Sequence, residues 1–511
     1  MSHLHHFVND WVDREYTACR VERSHLSTQI LHEANVTNAI DRYSTVNARP
    51  FDPNWITGAP SLGTYLGNLC IELTNAEKRK RKRKQAPQAN YEAAIKAIVL
   101  DLFRAHESDP NLEVGIGSGT TTLQKLSKSR YGASFISART FQDALGILIS
   151  QGLVTITTPY WHDALGKTSR VARHRASAML MAALYGAGAS VALLRRHSAS
   201  EGIVLKDDDK KKIEYGDIQI ANEARDRLQV INKMLHNHWA DIALPDNELI
   251  AHKAAVSRKR EEEASQSFDF AARTVYRVFN NLDWEQGGRF YGAWWMACPS
   301  RLRRHILIDG KQTVEVDYSG LHPAMLYAEA GLPIPDDPYE RCLTTEGNKA
   351  ERRLVKRTFN ALLNAGSVAR LTEIEGYSAD LTGRDWKAFK HFIVSKYPEF
   401  SQHFGSGVGL RLQRKDSDLA ETVMLEFAQK GYACLPVHDS FLVHHELQND
   451  LIDSMREAFE AKFGAVGKVA FEVGLEEPVE NIGDPIEPDI QALLHPTGYE
   501  ARLQAFRATK G

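Results

Sequence analysis

Two short segments each set a carboxylate at the tip of an apolar, strand-like run. Val-Asp-Tyr-Ser-Gly (Val316 to Gly320) carries Asp317, and Val-His-Asp-Ser-Phe (Val437 to Phe441) carries Asp439. Between them runs RRLVKRTFNALLNAG, starting at Arg352. Arg352, Lys356 and Asn360 recur every four residues and share one helical face, with Arg353 and Arg357 beside it. Clustered cations without acidic partners repel one another, so this face makes most sense opposite phosphates, although a solvated face would have the same composition. Two separated carboxylates and a Lys/Arg helix are the parts that in-line displacement on a nucleoside triphosphate requires. The carboxylates hold two divalent ions over the reacting phosphate, and the cations take the tri- or pyrophosphate charge. Either aspartate alone would be an ordinary loop residue; the ordered trio carries the inference.

The elements that must position these groups are legible around them. Val314 and Val316 alternate with Glu315 and Asp317, the period of a half-buried strand. Gly320 then lets the chain turn into a helix over Leu321 to Ala330. Ala433-Cys-Leu-Pro-Val leads to His438, Asp439 and Ser440 and returns as Phe441-Leu-Val, a tight hairpin with Asp439 at its tip. If the two strands are neighbours in one sheet, Asp317 and Asp439 can share a pair of Mg2+ ions, with Mn2+ as a substitute. Bare carboxylates that close repel unless cations or protons intervene.

In this order the three elements resemble motifs A, B and C of the polymerase superfamily that unites family A DNA polymerases with phage-type single-subunit RNA polymerases. Asp-Tyr-Ser is similar to motif A of the DNA enzymes, and His-Asp-Ser resembles motif C of the RNA enzymes. GGRFYGAWWMACPS (Gly287 to Ser300) resembles the Gly-Arg segment that both branches place before motif A, and LQRKDSDLAETVMLEFAQKG (Leu412 to Gly431) resembles the helix leading into motif C. The resemblance covers about Trp284 to Glu477. It implies an α+β, right-hand fold: an antiparallel palm sheet, abbreviated helical fingers and a helical thumb. It also implies roles. Asp317 and Asp439 would ligate both metals, with the Tyr318 carbonyl available to one of them. Lys356, helped by Arg352 and Arg353, would hold the triphosphate and protonate the leaving group, with Asn360 on the same nucleotide-facing side. His438 would lie near the primer 3′ end, and Arg289 would touch nucleic-acid backbone. The partners implied are a DNA template and primer, or RNA, and nucleoside triphosphates.

The departures from that pattern bear on substrate choice. Asn360 and Asn364 stand where the motif B helix carries aromatic residues, with Phe359 able to rotate in compensation. Ser440 replaces the Glu of the DNA enzymes. His322 falls where DNA polymerases keep a Glu that excludes the ribose 2′-hydroxyl, whereas sliding the alignment puts Gly320 there, as in the RNA enzymes. The bulk of His322 leans the reading to DNA. A DNA-dependent RNA polymerase or primase-like enzyme is the alternative, and a non-catalytic DNA-binding replication initiator or regulator the second. A nuclease fits less well, since a hydrolase has no pyrophosphate for the cationic helix to hold.

The rest of the chain is less specific. With 63 basic and 65 acidic residues there is no global basic signature, so any nucleic-acid contact must come from local patches. One candidate is the unbroken basic run Lys78 to Lys84, which reads equally as a solvated linker, a phosphate contact or a localisation signal. A helix with Ile95, Ile98, Val99 and Leu102 on one face, a second helix near Thr122, a third capped by Ser137 and a basic hairpin together resemble a winged helix-turn-helix. It would offer Arg139, Thr140, Gln142 and Asp143 to a groove, with Arg170, Arg173 and Arg175 on its wing. Asp217 to Ile242 reads as one helix with Ile220, Ala224, Leu228, Ile231, Leu235 and Trp239 in a core stripe. The expected division is a segment over 1–85 with the basic run, a winged-helix-like module over 86–180, a helical thumb-like region over 181–285, and a palm-and-fingers domain over 286–511. The five scattered cysteines, the absence of a membrane-length apolar run and an N-terminus unlike a secretory signal point to the cytoplasm, with no membrane partner. Oligomeric state stays open.

Overall fold

The computed structural model of the chain describes residues 47–162, 169–245, 248–251, 253, 268–344, 348–473 and 498–510. The early histidines and most of the charged stretch Lys253 to Ser267 lie outside them. The fold is mixed α+β and divides into two compact units. One takes the described residues of Met1–Ser200, Pro245–Ala271 and Glu500–Gly511, the other those of Glu201–Leu244 and Ala272–Tyr499. These bounds differ from the four-part division expected from sequence.

In the first unit the Gln85–Ser108 helix buries Tyr91, Ile95, Ile98, Val99 and Leu102 at the spacing the sequence shows. It packs against the Ala138–Ser150 helix. Ser137 sits at the N-cap with extended backbone, but its side chain makes no capping bond; its carbonyl accepts from the Phe141 amide. A four-stranded sheet runs in the order Ala48–Pro50, Glu113–Gly115, Arg173–Ala176, Val154–Thr158. Its first pair is parallel and the other two antiparallel. Trp161–His162 and Ser169–Arg170 pair antiparallel in a two-stranded sheet of their own.

The second unit is built on an antiparallel sheet in the order Ala240–Ile242, Ile306–Ile308, Lys311–Tyr318, Ser440–His444, Leu435–Val437, with Val469–Val473 also pairing Lys311–Tyr318. The Gln448–Phe463 helix contacts the central strand and buries Leu451, Met455 and Phe459 completely. The Gly409–Gln429 helix packs on that helix in turn, and its buried residues include Leu412, Leu419 and Val423.

The described residues of 181–285 are not mainly helical. The one long helix among them, Gln219–Asn237, buries Ala221, Ala224, Leu228, Ile231 and Leu235, while Ile220 is only half-buried. The remainder includes the strands Leu194–Arg196, Ile203–Leu205, Ala240–Ile242 and Tyr276–Asn280. Trp239, which continues the helical stripe in sequence, is already beyond the helix. Its amide donates to the Asp309 carboxylate at 2.8 Å, and Ala240–Ile242 then joins the sheet. A long-range hydrogen bond outranks helical periodicity there.

Candidate functional site

The central strand and the hairpin meet in a register that brings the two aspartates to one end of the sheet. Val316 lies opposite Phe441 and Asp317 opposite Ser440. One step further, the Tyr318 amide donates to the Asp439 carbonyl at 3.3 Å. Val437 pairs with Ser440, so His438 and Asp439 form a two-residue turn, with His438 at φ 60° in the left-handed region. The Tyr318 side chain takes the opposite face, where its hydroxyl donates to the Met455 carbonyl at 2.6 Å. Alternation therefore sends Asp317 and Glu315 to the same side of the sheet.

Glu315 corrects the expectation of a half-buried strand, for it is fully buried and Thr313 to Val316 are all covered. A carboxylate survives there because both of its oxygens are engaged. Arg303 donates Nε to one at 2.8 Å, and Ser440 donates its hydroxyl to the other at 2.7 Å. Ser440, the residue that departs from the DNA enzymes, thus ties the hairpin strand to the strand bearing Asp317.

Gly287 and Gly288 have φ of 80° and 79°, and the strand is irregular in register opposite them. A Cβ on Gly288 would lie 2.8 Å from Ser417 Oγ, so the backbone rests directly on the Gly409–Gln429 helix. Beneath it the buried Arg277 pairs with Glu421 at 2.7 Å and donates to the Gly288 carbonyl at 2.8 Å. The next residue, Arg289, donates Nε to the nearly fully buried Asp416 at 2.8 Å. His322 Nε2 lies 3.9 Å from the same carboxylate. Although burial alone would raise the Asp416 pKa, His322 and Arg289 together hold it below the usual value. Tyr291 and His438 rings meet edge to face at 6.4 Å, joining this cluster to the aspartate turn. His438 keeps an exposed edge, yet enough atoms crowd its ring that desolvation, followed by the charge of Arg289, draws its pKa below the ordinary value.

The cationic segment is a helix, Lys349–Asn364, capped by the Asn348 side chain, which accepts from the Ala350 and Glu351 amides. Its buried stripe is Glu351, Leu354, Val355, Thr358, Phe359 and Leu362, which leaves Arg353, Lys356 and Arg357 exposed. No carboxylate pairs with Lys356 or Arg353 among the described residues. Arg352 differs: Nε and Nη2 bind Asp337 at 2.5 and 3.0 Å, and the guanidinium lies 5.4 Å from the Tyr339 ring centre. A Cβ on Gly320 would meet Pro338 Cγ at 3.0 Å, so the loop that carries Asp337 and Tyr339 packs against the turn that follows Asp317. Asn360 is half-buried. Phe359 is fully buried against Tyr397, Phe404 and Tyr339, with ring centres 4.9, 5.2 and 5.8 Å away. It is core and cannot rotate toward a base.

In the first unit, Arg139 is exposed, whereas Thr140 is buried. Gln142 donates to the Ser118 carbonyl at 2.6 Å, and Asp143 accepts from Arg79 and Arg83 at 2.7 and 2.9 Å. Arg173 and Arg175 both pair with Glu113, at 3.3 and 3.5 Å, because the strand that carries them runs beside it. Arg170 is exposed, opposite Trp161.

Sequence reading missed Asp416, Glu315, Arg303 and Asp337. A signal existed for Asp416, which falls at helical spacing in the apolar stripe Leu412, Leu419, Val423. Among the described residues, no group of three or more His, Cys, Asp and Glu side chains is set to hold a metal by itself. A pair of neighbouring carboxylates fits the other mode, in which Mg2+ takes one or two carboxylates and completes its shell with water and substrate phosphates. The four described cysteines are free and buried, and none of the described helices is long and apolar enough to cross a membrane.

No protein-family model matches the chain, and no curated protein matches it in sequence. Solved structures do align with it. One is the POL domain of Pol1 from M. smegmatis in complex with DNA primer-template and dNTP, at a TM-score of 0.29 and 14% identity. The alignment covers 81% of this chain and 66% of that one, just under two thirds of its length. A likeness of that degree carries neither fold nor function.

Proposed function

We propose that the chain is a template-directed nucleotidyltransferase, a nucleic-acid polymerase whose catalytic centre is the end of the sheet that bears Asp317 and Asp439. The observation that carries this reading is the register that sets Asp317, near the end of one strand, beside Asp439 in the turn that leads into the neighbouring antiparallel strand, with an exposed cationic helix nearby. In these terms the antiparallel sheet is the palm, and the Lys349–Asn364 helix belongs to short fingers.

Asp317 and Asp439, with the Tyr318 carbonyl, would hold divalent ions that activate a 3′-hydroxyl and stabilise the leaving pyrophosphate. Lys356 and Arg353 are the cations free to take the triphosphate. Arg352 joins them only where substrate displaces Asp337 from it. Arg289, oriented by Asp416, would contact nucleic-acid backbone, and His438 would lie near the primer 3′ end. His322, turned toward Asp416, is the candidate sugar-sensing residue, and its bulk favours deoxynucleotides.

Purified protein with Mg2+, a primed template and either dNTPs or rNTPs tests this. Incorporation that requires template and metal supports the reading, and the nucleotide set used identifies the product. No incorporation with either set, under Mg2+ or Mn2+, contradicts it and favours a non-catalytic DNA-binding role.

A further inference from the structure

The basic run Lys78 to Lys84 is not a free linker. Arg83 is its anchor: the guanidinium binds Glu77 and Asp143, lies 3.7 Å over the Tyr91 ring, and its side chain is only 3% exposed. Arg79 adds a second bond to Asp143 at 2.7 Å. Asp143 belongs to the Ala138–Ser150 helix and Tyr91 to the Gln85–Ser108 helix, so the run is strapped across two helices of the same unit.

This anchoring leaves Lys78, Lys80, Arg81, Lys82 and Lys84 exposed, with no carboxylate partner among the described residues. Arg139, one turn before Asp143 and on the same helical face, is exposed and unpaired in the same sense. Lys125 and Lys128 occupy the last turn of the neighbouring Thr120–Lys128 helix. Holding that many like charges together opposes folding and is offset when phosphates cover them. The groups that could read base edges are otherwise occupied: Thr140 is buried, Gln142 is tied to Ser118, and Asp143 is tied to the strap. The surface has charge for a phosphate backbone and little hydrogen-bonding capacity for sequence. Tyr160, Trp161 and Arg170 are also exposed in this unit.

We infer that the first unit holds a second nucleic-acid site: the strap and Arg139 grip the phosphate backbone of a duplex with little regard to its sequence. The site does not depend on the polymerase reading.

The test uses the full chain and a labelled duplex of about two helical turns, closed at both ends by loops so that it offers no 3′ terminus. Binding is followed by anisotropy across a salt series. The combined variant Lys80→Ala, Arg81→Ala, Lys82→Ala leaves the anchors in place and should keep the wild-type thermal midpoint. It should flatten the slope of log affinity against log salt by about 2 to 3, at roughly 0.9 for each phosphate no longer neutralised. Arg139→Gln should flatten it by about 1. Duplexes of scrambled sequence should bind within about tenfold of one another, far inside the range of sequence-specific proteins. Unchanged slope and affinity in the triple variant would overturn the inference. So would strong sequence preference, or binding to phosphatidylserine vesicles without binding to the duplex. Extension of a primed template by the triple variant is a separate readout, so either site can fail without the other.

Discussion

The amide of Tyr318 donates to the carbonyl of Asp439 across 3.3 Å, so the residue after one carboxylate is bonded to the residue that bears the other. The relative placement of the two acids is therefore set by strand register together with the two-residue turn that carries Asp439. A slip by one residue would turn Asp317 to the opposite face of the sheet.

The buried Glu315 should make that register costly to disturb. Arg303→Ala leaves a buried carboxylate with only Ser440 for company and should cost about 3 to 5 kcal/mol. Glu315→Gln, which removes the charge itself, should cost less. Urea unfolding measures both; a loss under about 1 kcal/mol for Arg303→Ala would show that the pair is dispensable.

Gly288→Ala should be destabilising by about 1 to 3 kcal/mol, since the position combines φ 79° with a contact only 2.8 Å from Ser417. Because Arg289 follows directly, the variant should also lose more affinity for primed template than its stability change explains. Unchanged thermal stability would mean that the helix contact yields easily.

Two neighbours on one helix should separate packing from chemistry. Phe359→Ala should cost about 3 to 5 kcal/mol, because three aromatic rings close around the side chain. Lys356→Ala should stay within about 0.5 kcal/mol of the parent in stability, as an exposed residue, and lose most incorporation. Full activity in Lys356→Ala would remove it from the triphosphate site.

Acid should weaken the first unit through His174. Burial holds its pKa below the ordinary histidine value, with backbone contacts to Val114 and Ala172 pulling the other way. The unfolded chain therefore takes up that proton at higher pH than the folded one. The stability from this group is complete above about pH 6.5 and declines as pH falls below it. The thermal midpoint should drop between about pH 7.5 and 5.5, and drop less in His174→Gln. Equal declines in the two would assign the effect to other groups.

What is legible in the sequence is local. The Gln85–Ser108 helix, the Asp317 strand and the Asp439 hairpin follow from periodicity and turn residues spanning a dozen positions or fewer. Hidden are the partners that arrive from far along the chain. Asp416 reaches Arg289 from 127 residues away, and Arg79 reaches Asp143 from 64. Trp239 continues a helical stripe and still leaves the helix, because Asp309 takes its amide. Phe359 has the sequence position to turn to a base, and tertiary packing closes around it instead. Short apolar strands such as Ile203–Leu205 carry too few residues for their period to compete with a helical reading.

The proposed chemistry stands on Asp317 and Asp439 acting as one catalytic pair. The most direct measurement is Mg2+-dependent nucleotide incorporation on a primed template by the wild-type chain and by Asp439→Ala, with template binding followed in parallel. The expected result is incorporation by the wild type, loss of it in the variant, and template binding largely retained. Incorporation by Asp439→Ala at the wild-type rate would contradict the pairing.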